Sequence, residues 1–173
     1  MIPQRSARVA SQRSPGAGGP PRRARRDDLD ALVALWLALC EYHAELSPQF
    51  RLGSEAAQEL RRLLADQLGD PDQACFVADA PEGGLAGFCT LRVDRAGPIL
   101  DDPLRAEILD LFVPPTRRRA GLGAALLEAA LAWLRARGIR RVEVRVLTRN
   151  AVGQRFWHAH GFGSFVDVLE REL

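Results

Sequence analysis

The sequence contains no lysine, so all 24 of its basic residues are arginine. A Walker A phosphate loop needs a lysine after its last glycine, and this class of nucleotide-binding protein is therefore excluded. Long apolar runs are also absent, because none approaches the roughly 20 residues of a membrane span. The apolar centre of a secretory signal is missing as well, so we expect neither secretion nor a membrane partner.

Cysteine is scarce, with only Cys40, Cys75 and Cys89 in 173 residues. The count is odd, the sequence around each cysteine is apolar, and the spacing is not that of metal ligands. We therefore expect three reduced and buried thiols, no metal site and a cytoplasmic location.

Acidic residues are missing from the first 26 residues, which contain seven arginines and are rich in Gly, Pro and Ser. Such a segment buries too little apolar surface to offset its ordering entropy. We expect residues 1–20 to be a disordered extension and residues 21–173 to form one domain. A nucleic-acid-binding arm and an organellar transit peptide fit this composition too. The segment has no aromatic residue for base stacking, so no nucleic-acid partner is expected. It also shows no evident amphipathic helix, which a transit peptide would have.

The hydrophobic pattern predicts alternating strands and helices. Asp27 or Asp28 is expected to cap the first helix, and Ser54 the second, which Gly69 ends. The inward residues are predicted to be Leu29, Leu32, Val33, Trp36 and Cys40 in the first helix, and Leu60, Leu63, Leu64 and Leu68 in the second. The strands are expected at 22–25, 74–80, 85–93, 108–113, 142–146 and 165–169, and the later helices at 121–137 and 151–160. The order βααβββαβαβ indicates a mixed α/β (α+β) sheet.

One turn carries the residues that a diphosphate would need. Arg118-x-x-Gly121-x-Gly123 lies between a buried strand and a long helix. The first amides of a helix have no intrahelical partner, and its dipole favours negative charge there. The two glycines allow close approach of the backbone, and Arg117, Arg118 and Arg119 add cationic donors.

This turn resembles the acetyl-CoA loop of the GNAT N-acetyltransferase superfamily. Asn150, the only asparagine in the chain, followed by Phe156-Trp157-x-x-x-Gly161-Phe162, is similar to a second motif of that superfamily. The resemblance implies the GNAT-like acyl-CoA N-acyltransferase fold, with acetyl-CoA between the fourth and fifth strands. It also implies a cofactor site made of Leu111, Phe112, Val113, Arg118, Arg119, Ala120, Gly121, Gly123, Ala124, Asn150 and Phe156.

A dinucleotide site is the closest competing interpretation. Gly121-x-Gly123 precedes a helix, and Glu143 lies 20 residues after Gly123, where a ribose-binding acid belongs. Leu126 occupies the third glycine position, however, and the turn from Pro114 to Gly121 is longer than the tight turn of a Rossmann unit. Acetyl-CoA is therefore favoured.

In an acetyltransferase, a neutral amine would attack the thioester, and backbone amides near a bulge in the fourth strand would stabilise the oxyanion. Glu107, at the position of a catalytic glutamate in some family members, is the favoured base. Asp110 is the second candidate, and period-two alternation places it on one face with Ile108 and Phe112.

The general acid is where this chain departs from the family, because Trp157 replaces the usual tyrosine and its indole does not titrate usefully. Water, His158 or His160 would then protonate the thiolate. Tyr42 and His43 fall on the first helix, which shapes the acceptor pocket in the superfamily together with the second helix and the loop 96–104.

The sequence thus predicts acetyl transfer to a primary amine of a small molecule or a protein. A non-catalytic acyl-CoA-binding module is the alternative. Outside the first 26 residues, 17 arginines stand against 22 acidic residues, and this charge of −5 favours cationic acceptors. A homodimer formed through the C-terminal strand is compatible with the pattern.

Overall fold

The computed structural model describes residues 19–95, 101 and 103–171. It contains five strands and four α-helices among these residues. In chain order they are β1 (Arg22–Arg23), α1 (Leu29–Leu46), α2 (Ala56–Gly69), β2 (Gln73–Asp79), β3 (Leu85–Arg95), β4 (Leu104–Phe112), α3 (Leu122–Ala136), β5 (Val142–Val144) and α4 (Ala151–Ala159). The expected extension lies outside the described residues, apart from its last two positions.

The strands form one mixed sheet in the order β1-β2-β3-β4-β5. The first four strands are antiparallel to their neighbours, and β5 is parallel to β4. A parallel pair needs a crossover connection, which α3 supplies here. The predicted mixed α/β fold is confirmed.

Each face of the sheet carries its own hydrophobic core. On one face α3 and α4 bury Ile108, Leu126 and Trp157 with their neighbours. On the other face α1 and α2 bury Leu32, Leu64 and Phe88. The two cores sandwich the sheet, which explains why β2 is buried along nearly its whole length.

A bulge in β4 changes which side chains share a face. Thr90 is opposite Asp110, but the next residue of β3, Leu91, is opposite Ile108, so Leu109 is an extra residue. Ile108 therefore packs under α3, whereas Phe112 packs under α1. The expectation that Asp110 shares a face with both Ile108 and Phe112 is wrong, because it assumed an unbroken alternation.

Other sequence expectations are corrected at particular residues. Helix α2 has Glu55 rather than Ser54 at its N-cap, and Leu63 is 55% exposed instead of facing the core. Residues 165–169, which the structure describes, have no regular secondary structure instead of the predicted strand. The last element of the predicted order is therefore not formed in this structure.

The three cysteines are free and buried, as expected. Burial raises the pKa of the Cys40 thiol to about 11 and that of Cys75 to about 12. Burial raises the pKa of Cys89 as well. These thiols therefore act as small apolar core residues rather than as nucleophiles.

Gly87 of β3 marks a close contact with the end of β4. A Cβ there would come within 2.8 Å of the carbonyl oxygen of Phe112 and 3.1 Å of Cγ2 of Val113. We expect Gly87→Ala to lower the free energy of unfolding by about 1–3 kcal/mol, because this backbone atom has little room to move. Urea denaturation measures the change.

Gly69→Ala is the control, since a Cβ at Gly69 would meet nothing within 4 Å at the end of α2. It should leave the protein unchanged or slightly more stable, because alanine favours helix over glycine. An equal loss of stability in both variants would contradict the proposed contact.

Candidate active site

The candidate site lies where β4 and β5 separate. The two strands pair at only three positions, from Ala106 with Val142 to Ile108 with Val144. Strand β4 continues to Phe112, whereas β5 ends at Val144. Residues 109–112 of β4 therefore face a gap on this side instead of a neighbouring strand.

The turn before α3 opens at the same end of the gap. Gly121 has a φ of +77° and Arg119 a φ of +69°, both in the left-handed region. This path leaves six successive amides, from Arg119 to Ala124, without a backbone acceptor in the described chain. No acidic residue or side-chain cap occupies the first turn of α3. The turn therefore offers donors and a helix dipole to an anion.

Gly123 brings α3 close to α4 beside the gap. A Cβ at this position would lie 3.3 Å from Cε2 of Phe156 and 3.7 Å from Cδ2 of Leu111. The site residues Leu111, Gly123 and Phe156, predicted from separate motifs, are therefore brought together. Phe112 is 3% exposed under α1, so only its main chain is available to a ligand.

Asn150 connects three elements of the site. Its Oδ1 accepts hydrogen bonds from the Gly153 amide at 2.9 Å, which caps α4, and from the Tyr42 hydroxyl at 3.2 Å. The guanidinium carbon of Arg118 lies 5.0 Å from the centre of the Tyr42 ring, within the range of a cation–π contact. Arg118 Nε also donates to the carbonyl of Val113 at 2.9 Å. Tyr42 of α1 thus contacts two of the predicted cofactor-binding side chains, Asn150 and Arg118.

Glu107 forms ion pairs with two arginines. Its Oε2 lies 2.8 Å from Arg92 and its Oε1 lies 3.2 Å from Arg145, and its side chain is 15% exposed. Because the bulge adds one residue, Glu107 and Asp110 share the α1 side of the sheet instead of facing opposite sides.

Asp110 lies deeper, beneath α1. Its Oδ2 accepts hydrogen bonds from Thr90 Oγ1 at 2.8 Å and Trp36 Nε1 at 3.2 Å. Burial raises the pKa of this carboxyl, and the hydrogen bonds and nearby His43 oppose the rise. Burial lowers the pKa of His43, so a neutral imidazole is favoured on this face.

Trp157 lies in an aromatic cluster, and the two histidines beside it contact the main chain. Trp157 is 8% exposed and packs edge-on against Phe156 and Phe162. The exposed His158 and His160 bind main-chain carbonyls of Phe162 and Phe156 through Nδ1, at 3.0 Å and 2.7 Å. Part of the predicted acceptor loop, residues 96–100 and 102, lies outside the described residues. Among the described residues, no cluster of three or more His, Cys, Asp or Glu side chains is arranged for a metal ion.

The family model described as acetyltransferase (GNAT) family matches residues 36–162. The chain belongs to this family. The matched region contains every predicted site residue, and the family resemblance of the sequence is confirmed.

Individual relatives and structures agree with this assignment. A mycothiol acetyltransferase of Thermobispora bispora is 34% identical over 137 residues, which cover 79% of this chain and 45% of that protein. An aminoglycoside N(6')-acetyltransferase type 1 of Klebsiella aerogenes is 28% identical over 139 residues, which cover 78% of this chain and 86% of that protein. The chain therefore spans less than half the length of the mycothiol enzymes that it matches.

Two solved structures share the fold. A tetramutant protein of Bacillus halodurans aligns with a TM-score of 0.79 at 21% identity, over 88% of this chain and 99% of that one. An aminoglycoside N-acetyltransferase in complex with CoA aligns with a TM-score of 0.72 at 19% identity, over 92% and 98%. In the described residues, no helix has the length and apolarity that crossing a membrane would need.

The cap at Asn150 gives a testable prediction. Asn150→Ala should lower the free energy of unfolding by about 1 kcal/mol, because it removes the cap of α4 and the acceptor of the Tyr42 hydroxyl. Asn150→Asp should keep most of this stability, since aspartate is an equally good N-cap. Chemical denaturation of both variants checks this, and equal losses would show that the side-chain oxygen is not the stabilising group.

Proposed function

We propose that the protein is an N-acetyltransferase, which transfers the acetyl group of acetyl-CoA to a primary amine by direct attack in a ternary complex. One observation carries the proposal: the six unpaired amides of Arg119–Ala124 lie at the mouth of the gap between β4 and β5. An elongated molecule with a diphosphate at one end and a narrow arm fits such an arrangement. The names of the acetyltransferase relatives support the same function.

Each part of acetyl-CoA has a place in this proposal. The diphosphate binds the amides from Arg119 to Ala124 and the positive end of the α3 dipole. The pantetheine arm runs along the free edge of β4 from Leu111 to Val113 and pairs with its main chain. Asn150 donates to or accepts from the arm, and Phe156 packs beside it. Arg118 leaves the carbonyl of Val113 when the arm takes that position.

The reaction needs an uncharged amine nucleophile. Amines with a pKa near ~10 are mostly protonated at neutral pH, so a base must take the proton. Glu107 is the proposed base, and an arginine lies beside each of its two oxygens. Asp110, on the same side of the sheet, is the second candidate. The amine forms the C–N bond, the tetrahedral oxyanion collapses, and the C–S bond breaks.

The leaving thiolate takes its proton from water in this mechanism. Trp157 is packed in the core, and both neighbouring histidines contact main-chain carbonyls through Nδ1 alone, so His158 and His160 stay the alternative donors. A thiol with a pKa near ~8.5 leaves as a thiolate without an obligatory acid.

The acceptor is proposed to be a cationic amine of a small molecule or a protein. The charge of −5 over residues 27–173 increases the encounter rate with such acceptors. The names of the relatives add two candidate acceptors, an aminoglycoside and an amine related to mycothiol. The three free, buried cysteines support a cytoplasmic location.

Binding of acetyl-CoA is the first test, measured by calorimetric titration with NADH as the control ligand. The native protein should bind acetyl-CoA and not NADH. Gly121→Ala should weaken this binding at least about 10-fold, because a side chain is strained at φ +77° and the amides would be displaced.

Gly138→Ala is the matched control, since Gly138 has a φ of +73° just beyond the other end of α3. Both variants should lose similar stability, and only Gly121→Ala should lose affinity. Binding of NADH instead would favour the dinucleotide site and contradict the proposal.

The base is tested by release of thiol from acetyl-CoA in the presence of an aminoglycoside, a polyamine or a protein amine. Glu107→Gln should lower kcat about 100-fold or more while the affinity for acetyl-CoA is kept. Asp94→Asn is the control, because Asp94 also pairs with Arg92, at 3.4 Å. If Asp110→Asn lowers kcat more than Glu107→Gln does, Asp110 is the base instead of Glu107.

The pH profile separates the two carboxylates. Burial raises the pKa of Asp110 above the ordinary value. If Asp110 is the base, the rate should therefore begin to fall at a higher pH, as the pH is lowered, than it would with an ordinary carboxylate.

Acetyl-CoA binding without turnover for any amine tested would favour the non-catalytic binding module.

A further inference from the structure

Three ring side chains at the end of α1 form a cluster beside the site. Tyr42 and His43 lie in α1, and Phe50 lies in the short helical turn that follows it. The ring centres of Tyr42 and His43 are 6.0 Å apart, and those of His43 and Phe50 are 5.4 Å apart. All three residues are half-buried, and neither Tyr42 nor Phe50 belongs to the two cores of the described chain. This ring cluster is therefore an apolar wall that a ligand can contact.

The carboxylate of Asp110 lies next to the ring cluster. His43 is close enough to Asp110 for each group to shift the pKa of the other. Trp36 and Thr90 both donate to Oδ2 of Asp110, at 3.2 Å and 2.8 Å. Within the described chain its other oxygen, Oδ1, accepts no hydrogen bond, and the residue is partly accessible. A carboxylate that is held through one oxygen can bind a cation through the other.

The charges around Asp110 favour a ligand with only one positive group. Glu107, on the same side of the sheet, is already paired with Arg92 and Arg145. Arg118 lies over the first ring of the cluster, 5.0 Å from its centre. A polycation would bring its further ammonium groups towards these three arginines, and like charges repel. A single ammonium group at Asp110 avoids this cost.

We propose that the acceptor is a monoamine with a flat apolar body, of the arylalkylamine class. Oδ1 of Asp110 binds its ammonium group, and the body of the amine packs against the ring cluster. An ammonium group close to a ring face also gains a cation–π contact. The overall charge of −5 over residues 27–173 increases encounters with every cation, whereas these local charges decide which cation binds.

This inference rests on the proposed function and narrows its class of acceptor. The extra residue in β4 places Glu107 and Asp110 on one side of the sheet, so a single amine can reach both carboxylates. Asp110 orients the amine, and Glu107 takes its proton. The amine nitrogen then forms the C–N bond with the acetyl carbon, and CoA leaves as a thiolate when the C–S bond breaks.

The test compares acetyl transfer to four amines, measured by thiol release: 2-phenylethylamine, ethanolamine, spermidine and kanamycin. We expect kcat/KM for 2-phenylethylamine to be at least about 10-fold above each of the others. Ethanolamine has the same single charge without a ring, so it isolates the contribution of the ring cluster. An equal or higher kcat/KM for any of the other three amines would overturn the proposal.

Two variants assign the binding groups. Phe50→Ala should raise KM for 2-phenylethylamine about 10-fold and leave KM for ethanolamine and acetyl-CoA unchanged, because only an apolar contact is lost. Asp110→Asn should raise KM for both monoamines about 100-fold without weakening acetyl-CoA binding. An unchanged KM for the monoamines in Asp110→Asn would show that Asp110 does not bind the ammonium group. Leu63→Ala, at a residue that is 55% exposed on α2, is the control and should leave every constant unchanged.

Calorimetry separates this proposal from the proposed function. With CoA present, 2-phenylethylamine should bind the native protein more tightly than spermidine does. Such binding without acetyl transfer to any amine would contradict the proposed function and keep the class of ligand. Acetyl transfer to another amine, with no binding of 2-phenylethylamine, would keep the proposed function and overturn the class of acceptor.

Discussion

The site depends on the short parallel ladder between β4 and β5. Three paired positions hold the two strands together, and beyond Ile108 they separate. A longer β5 would satisfy the edge of β4 and close the gap. Because β5 ends at Val144, residues 109–112 of β4 have no strand partner on this side within the described chain, beside the turn that exposes the amides of Arg119–Ala124. Backbone groups that are unpaired in this way require a ligand or water.

Two further features adapt this gap for chemistry. The bulge at Leu109 places Glu107 and Asp110 on the α1 side, where Trp36 and His43 approach Asp110. The hydrogen bond from Tyr42 to Asn150 connects α1, which is predicted to shape the acceptor pocket, to the N-terminus of α4 in the proposed cofactor site. Helix α1 therefore contacts the proposed cofactor site directly.

Much of the fold could be predicted from local sequence. The hairpin of β2 and β3 and the glycine turn before α3 are each encoded by a few neighbouring residues. Leu63 shows the limit of this reasoning, since helical spacing alone does not decide how wide the buried stripe of α2 is. The missing last strand shows another limit, because the pattern of residues 165–169 indicates a strand but not its partner. The roles of individual site residues stay predictions.

The sequence by itself determined the mixed α/β fold, the family and the turn that suits a diphosphate, because these depend on residues close together in the chain. Only the tertiary structure decided that Tyr42 contacts Asn150 and Arg118, that Glu107 lies between two arginines, and that residues 163–171 form no hydrogen bond within the described chain. These depend on the register of β3 and β4, with its extra residue, and on long-range packing. Neither is specified by local propensity, since one inserted residue moves every side chain that follows it in the strand to the opposite face of the sheet.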